Sequence, residues 1–267
     1  MAFTSLSATS SSGSDELTPP SYAQAAILDS GTTITLLPND VVNLVYAELG
    51  ATESQQLGGV VVPCNLADND GTLNYGFGGT GGPTIKVAMS QLVLPLTDAA
   101  GNPITSDNGE TICQLGIQPA GDLPVLFGDT FLRSAYVVYD LDNNQIALAE
   151  TDFNSTSSNV VAFASKGAAI PSASIAPSQA QVSGTATGIP RATAGGTATG
   201  PTYNPSATSL AASAGFQSSS TSTSTSSSSS QKKSAAAAGA HPFHGAGALV
   251  GLTLTGMLLG AGGFAML

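Results

Sequence analysis

The chain is 267 residues long with a formal net charge of −11, and that charge is sharply divided. All 17 acidic residues lie in residues 1–153 with only two bases, Lys86 and Arg133, leaving this part at −15; Lys166, Arg191, Lys232 and Lys233 give the remainder +4. So acidic a region excludes nucleic acid, whose phosphates it would repel, while about 150 residues are enough to bury a core.

Residues 1–26 have neither the basic start nor the apolar stretch of a signal peptide, and residues 2–6 read as the interior of a strand. The apolar run at 25–28 predicts a strand ending at Asp29. Asp29-Ser30-Gly31-Thr32-Thr33 then reads as a tight turn, with Ser30 and Thr32 offering hydroxyls beside the carboxylate and Gly31 allowing close backbone approach. A carboxylate that activates water has to be held in this rigid, hydrogen-bonded way.

Pro38, Asn39 and Asp40 predict a capped helix start. Val41, Leu44, Val45 and Leu49 recur at helical spacing until Gly50 ends the run. Gly76-Phe77-Gly78-Gly79-Thr80-Gly81 matches the dinucleotide pattern G-x-G-x-x-G in form, but that motif needs a helix N-terminus directly after the loop. Gly82, Pro83 and a strand-like run follow instead, so this is a glycine-rich turn. Strands are predicted over 84–88, 91–94, 135–140 and 145–149, the last two joined by a turn at 142–144. Residues 1–153 therefore read as all-β in class, mainly strand with one short helix.

Residues 124–150 run Pro-Val-Leu-Phe-Gly-Asp-Thr-Phe-Leu-Arg-Ser-Ala-Tyr-Val-Val-Tyr-Asp-Leu-Asp-Asn-Asn-Gln-Ile-Ala-Leu-Ala-Glu. With the turn at Asp29, this resembles the C-terminal lobe of pepsin-like aspartic proteases, especially the fungal, surface-anchored yapsin-like branch. The matching motifs are Asp29-Ser30-Gly31-Thr32 and the later Leu126-Phe127-Gly128, where the family more often has Ile-Leu-Gly. The resemblance covers roughly residues 2–153. It implies a single pepsin-like lobe, with Asp29 as one of two water-activating carboxylates and polypeptides as substrates. No second D-[ST]-G turn exists in the sequence, because Asp129-Thr130-Phe131 fails at the glycine, and no flap-like segment precedes Asp29. The chain is thus expected to be a fragment or truncated gene model without the N-terminal lobe, inactive alone.

Cys64 and Cys113 are the only cysteines. In a secreted context the pair reads as a disulfide closing a loop of about 50 residues, and the resemblance implies the same bond. No metal or other cofactor is expected: the only histidines, His241 and His244, lie in a low-complexity segment and read as spacer.

From residue 154 to 240 the chain is dominated by Ser, Thr, Ala, Gly and Pro, a composition too poor in apolar surface to offset its conformational entropy. It reads as a disordered stalk suited to O-glycosylation, with one N-glycosylation sequon at Asn154. Residues 241–267 end in 22 uncharged residues, and no basic residue follows to mark a cytoplasmic end. They read as a GPI-attachment signal, with Ser234 as the attachment residue, in preference to a membrane-spanning segment. The expected location is the cell surface, at the plasma membrane or wall. Two other readings remain: a non-catalytic surface or wall protein, and a homodimer in which each copy gives one Asp29, as in retroviral proteases.

Overall fold

The computed structural model describes residues 1–182 and 213–216, and its folded part is mainly β. β1 (Ala2–Ser10) and β2 (Gly13–Glu16) form a hairpin, β3 (Gln24–Leu28) and β4 (Thr35–Leu37) flank the turn at Asp29, and α1 (Asn39–Leu49) follows. Then come β5 (Thr52–Ser54), β6 (Gly59–Pro63), a 3-10 turn (Cys64–Asp68), β7 (Thr72–Phe77) and β8 (Thr84–Ala88). A helical turn, α2 (Met89–Leu92), leads into β9 (Val93–Pro95), β10 (Ile112–Leu115), β11 (Ile117–Pro119), β12 (Val125–Phe127) and α3 (Asp129–Leu132). The hairpin of β13 (Ala135–Asp140) and β14 (Gln145–Glu150) comes last.

The main sheet runs β11-β4-β12-β3-β1-β7-β8, with β2 beside β1. Its centre positions the site, because β12 returns from late in the chain to lie parallel to β3, with Phe127 opposite Leu28. The same strand pairs antiparallel with β4 at Leu36. β5, β6, β10 and β9 make a second sheet.

In β1, Phe3, Leu6 and Ala8 are fully buried. A regular strand cannot turn residues three apart to one face, so the register shift against β7 between Phe3 and Ser5 absorbs the odd residue. Phe3 thereby joins Tyr75, Phe77, Phe127 and Phe131 in one aromatic cluster, with ring centroids as close as 4.6 Å for Phe127 and Phe131. Phe127 meets each of the other four rings and so centres this cluster, and burying such a ring contributes about 1.5–3 kcal/mol.

The helix begins and ends as its spacing predicts, and Gly50 closes it at φ 64° with its N–H donated to Tyr46. The expected cap differs. Pro38 holds the cap position without a side-chain bond, and the Asn39 amide oxygen instead accepts the Gly121 N–H. The strand expected over 91–94 is shorter, because Met89 and Leu92 are both fully buried and that three-residue interval suits a helical turn. The glycine-rich run is the β7–β8 hairpin turn, with Gly78, Gly79 and Gly81 all at positive φ. Residues 154–182 have no helix or strand but touch the lobe, with Asn143 donating to Ala168 O (3.3 Å) and the Ala180 N–H to Gly78 O (2.9 Å).

Glu48, on the inner face of α1, is fully buried, and among the described residues neither carboxyl oxygen has a hydrogen-bond partner. Burial first, and then the charge of Asp15, push its carboxyl up to about 7. The folded state therefore holds this proton more tightly than the unfolded chain. The associated stability is complete below about pH 4.5 and is lost as pH rises to about 7, a loss on the order of 3 kcal/mol. Thermal melts should show a melting temperature that falls across this window. Glu48→Gln, which fixes the neutral form, should flatten the fall; an unchanged slope would show that Glu48 does not cause it.

Candidate active site

The site starts from strand alternation. Ala26 and Leu28 of β3 point into the core and Ile27 points out, so the strand is pinned where Asp29 leaves it. The Asp29 N–H donates to Phe127 O (3.0 Å), which ties the turn to β12, and the Thr32 N–H donates back to Asp29 O (3.2 Å). The side chain is held at both oxygens: Oδ1 accepts the Gly31 N–H (3.0 Å) and Oδ2 accepts the Thr32 hydroxyl (2.6 Å). Two donors from one turn fix the plane of the half-buried carboxylate. Ser30 is exposed, and its hydroxyl makes no hydrogen bond to Asp29 among the described residues.

Behind the turn lies Leu126-Phe127-Gly128. A Cβ on Gly128 would come within 2.3 Å of Thr32 O and 2.5 Å of Ile34 O, so only glycine lets the two segments cross. Just beyond, the Asp129 N–H donates to Thr32 O (2.9 Å) and the Thr130 N–H to Thr33 O (3.2 Å). The Asp129 side chain is exposed; what α3 contributes here is backbone donors.

Two buried threonines lock the crossing, and sequence reasoning missed both. The Thr130 hydroxyl donates to Gly116 O (2.8 Å), accepts the Thr35 N–H (3.1 Å) and meets the Thr35 hydroxyl at 3.1 Å. Thr130→Val keeps the shape but strips these partners, so it should cost about 1–3 kcal/mol by chemical denaturation. Thr130→Ser should retain most of the stability. A neutral Thr130→Val would show that these bonds do not hold the turn.

Tyr139 is a further neighbour absent from the motifs. Its hydroxyl donates to Leu28 O (3.3 Å), and burial together with the charge of Asp29 raises its phenol. The remaining predicted residues lie elsewhere. Cys64 and Cys113 form the disulfide between the 3-10 turn and β10, with Cα atoms 5.0 Å apart, and Asn154 is exposed at φ 62°. Ser234, His241 and His244 fall outside the described residues. Among the described residues, no group of three or more His, Cys, Asp or Glu is placed to hold a metal. Chemically, the site is one oriented carboxylate at the surface, able to exchange a proton with an adjacent water.

A family model described as eukaryotic aspartyl protease matches residues 4–151. The probable aspartic-type endopeptidase opsB of Aspergillus oryzae is 41% identical over 190 residues, covering 69% of this chain and 36% of its own length. The aspartic proteinase yapsin-3 of Saccharomyces cerevisiae is 38% identical over 154 residues, covering 57% of this chain and 27% of its own length. The chain thus spans little more than a third of the first relative and about a quarter of the second. The crystal structure of the aspartic proteinase from Irpex lacteus aligns with a TM-score of 0.41 at 25% identity, over 59% of this chain and 44% of that one.

Proposed function

Because the chain belongs to the eukaryotic aspartyl protease family, we propose that it forms half of an aspartic endopeptidase, with Asp29 as one of two carboxylates that activate water. The observation that carries this reading is the double hold on Asp29, by the Gly31 N–H and the Thr32 hydroxyl. A carboxylate so fixed can take the proton of a water positioned against a peptide carbonyl carbon. The carbonyl oxygen needs a proton donor at the same moment, and a second, protonated carboxyl supplies it, so the pair titrates as a unit. Residues 1–182 and 213–216 offer no second carboxylate bonded to Asp29.

The second carboxylate is therefore assigned to a partner lobe. The β13–β14 hairpin and the strand before Asp29 carry large exposed apolar side chains, Ile27, Tyr136, Tyr139, Leu141 and Ile146. Such a surface is suited to being covered, and Tyr139 links it to the backbone beside Asp29. Substrates are polypeptides in this reading, and no nucleic acid is involved. The test is cleavage of an unfolded polypeptide at acidic pH by this chain fused to the part of opsB outside the matched region. Activity lost in Asp29→Asn supports the proposal, and activity indifferent to it overturns the proposal.

The disulfide fits an oxidising compartment. The Ser/Thr-rich stalk and apolar tail support attachment at the cell surface through GPI, with Ser234 as the attachment residue; these segments lie largely outside the described residues. Release of the lobe from intact cells by a phosphatidylinositol-specific phospholipase C would support that location. Recovery of an uncleaved peptide through Leu267 from the membrane would overturn it.

A further inference from the structure

Four residues from deep within the Ser/Thr-rich segment lie against the lobe. Ser213, Ala214, Gly215 and Phe216 meet the β1–β2 hairpin and the loop before β7, about 60 residues after the last strand. Both polar groups of the Ala214 backbone are taken by lobe side chains. Its N–H donates to Asp15 Oδ2 (2.7 Å) in a buried bond, and its carbonyl accepts from the Ser10 hydroxyl. Asp15 is itself buried, so this N–H gives it a partner away from water.

Each remaining position is constrained differently. Ala214 is 1% exposed, which leaves no room for a larger side chain. Gly215 sits at φ 67° against Ser12, a conformation that favours glycine. Phe216 is buried with its ring tip against Gly71, where an added Cβ would come within 2.4 Å of ring carbon Cζ and 2.5 Å of Cε1. Gly13 is likewise bare where the Ser213 carbonyl passes, 2.6 Å from the position of a Cβ. Two glycines and two hydrogen-bonding side chains on the lobe thus match a small residue, a glycine and an aromatic in sequence on the tail.

We propose that the lobe carries a docking site for its own C-terminal region, in which Asp15 and Ser10 clamp the Ala214 peptide while Phe216 plugs the face over Gly71. The folded unit then includes residues 213–216, and the Ser/Thr run at 218–230 starts two positions further along the sequence. This does not depend on Asp29 or on catalysis.

Hydrogen exchange on the full chain tests the site. Peptides covering residues 213–216 should exchange roughly tenfold or more slowly in the native chain than in Phe216→Ala, a substitution confined to the tail. Gly71→Val, which fills the ring's place from the lobe side, should release the same peptide, with β7–β8 amides reporting that the lobe remains folded. If Gly71→Val fails to fold, Phe216→Ala alone decides. Rapid exchange of 213–216 in the native chain would overturn the proposal, and so would protection that survives Phe216→Ala.

Discussion

Asp29→Asn should lower turnover of the fused, two-lobed enzyme by roughly 10²–10⁴-fold, the usual contribution of a positioned proton-transfer group. The substitution is mild in shape. The amide oxygen can still accept the Gly31 N–H, and the Thr32 hydroxyl can turn to accept from the new NH₂ in place of Oδ2. Stability should therefore change little, and the loss should fall on turnover more than on substrate affinity, because the carboxylate acts on the water. Equal melting temperatures with collapsed turnover are the expected pair of results. A large drop in melting temperature instead would make Asp29 a structural residue.

Cys64→Ser should cost roughly 4 kcal/mol, the chain-entropy value for a loop of this length, with 49 residues separating the two cysteines. In a lobe of this size that is a fall in melting temperature of about 8–16 °C. The bond joins the 3-10 turn after β6 to β10, the middle pair of the smaller sheet, so its loss loosens both partners together. Cys113 is almost fully buried and Cys64 half-buried, so Cys64→Ser leaves a buried thiol facing a half-buried hydroxyl. Intact-mass measurement before and after alkylation checks the premise, and two free thiols in secreted protein would contradict it.

The legible parts of the sequence were those where local chemistry and tertiary structure agree. Asp29 to Thr33 declares its turn through an apolar strand before it and Gly31 within it, and α1 declares itself through Val41, Leu44, Val45 and Leu49 with Gly50 at the end. Leu126-Phe127-Gly128 was legible only as a motif; its physical reason, a backbone crossing that admits no Cβ, needs coordinates. The Thr35–Thr130 lock spans 95 positions and leaves no periodic trace. The end of α2, Gln91 and Leu92, reads as strand because the short apolar run Leu92-Val93-Leu94 suits either element until burial selects between them. The start at Pro38-Asn39-Asp40 has no side-chain cap, because the Asn39 amide faces a loop distant in sequence. Ala214 to Phe216 was hidden by composition, since averaging over Ser, Ala and Gly conceals one aromatic residue that finds a seat.

The claim that this chain holds one half of a two-carboxylate site is tested most directly by assaying the chain alone at acidic pH over a range of concentrations. Cleavage of an unfolded polypeptide should be absent at every concentration, and should appear only once the second lobe is joined to it. Cleavage by the lone chain that rises with the square of its concentration and vanishes in Asp29→Asn would contradict this, and would make the active species a homodimer in which two copies of Asp29 form the pair.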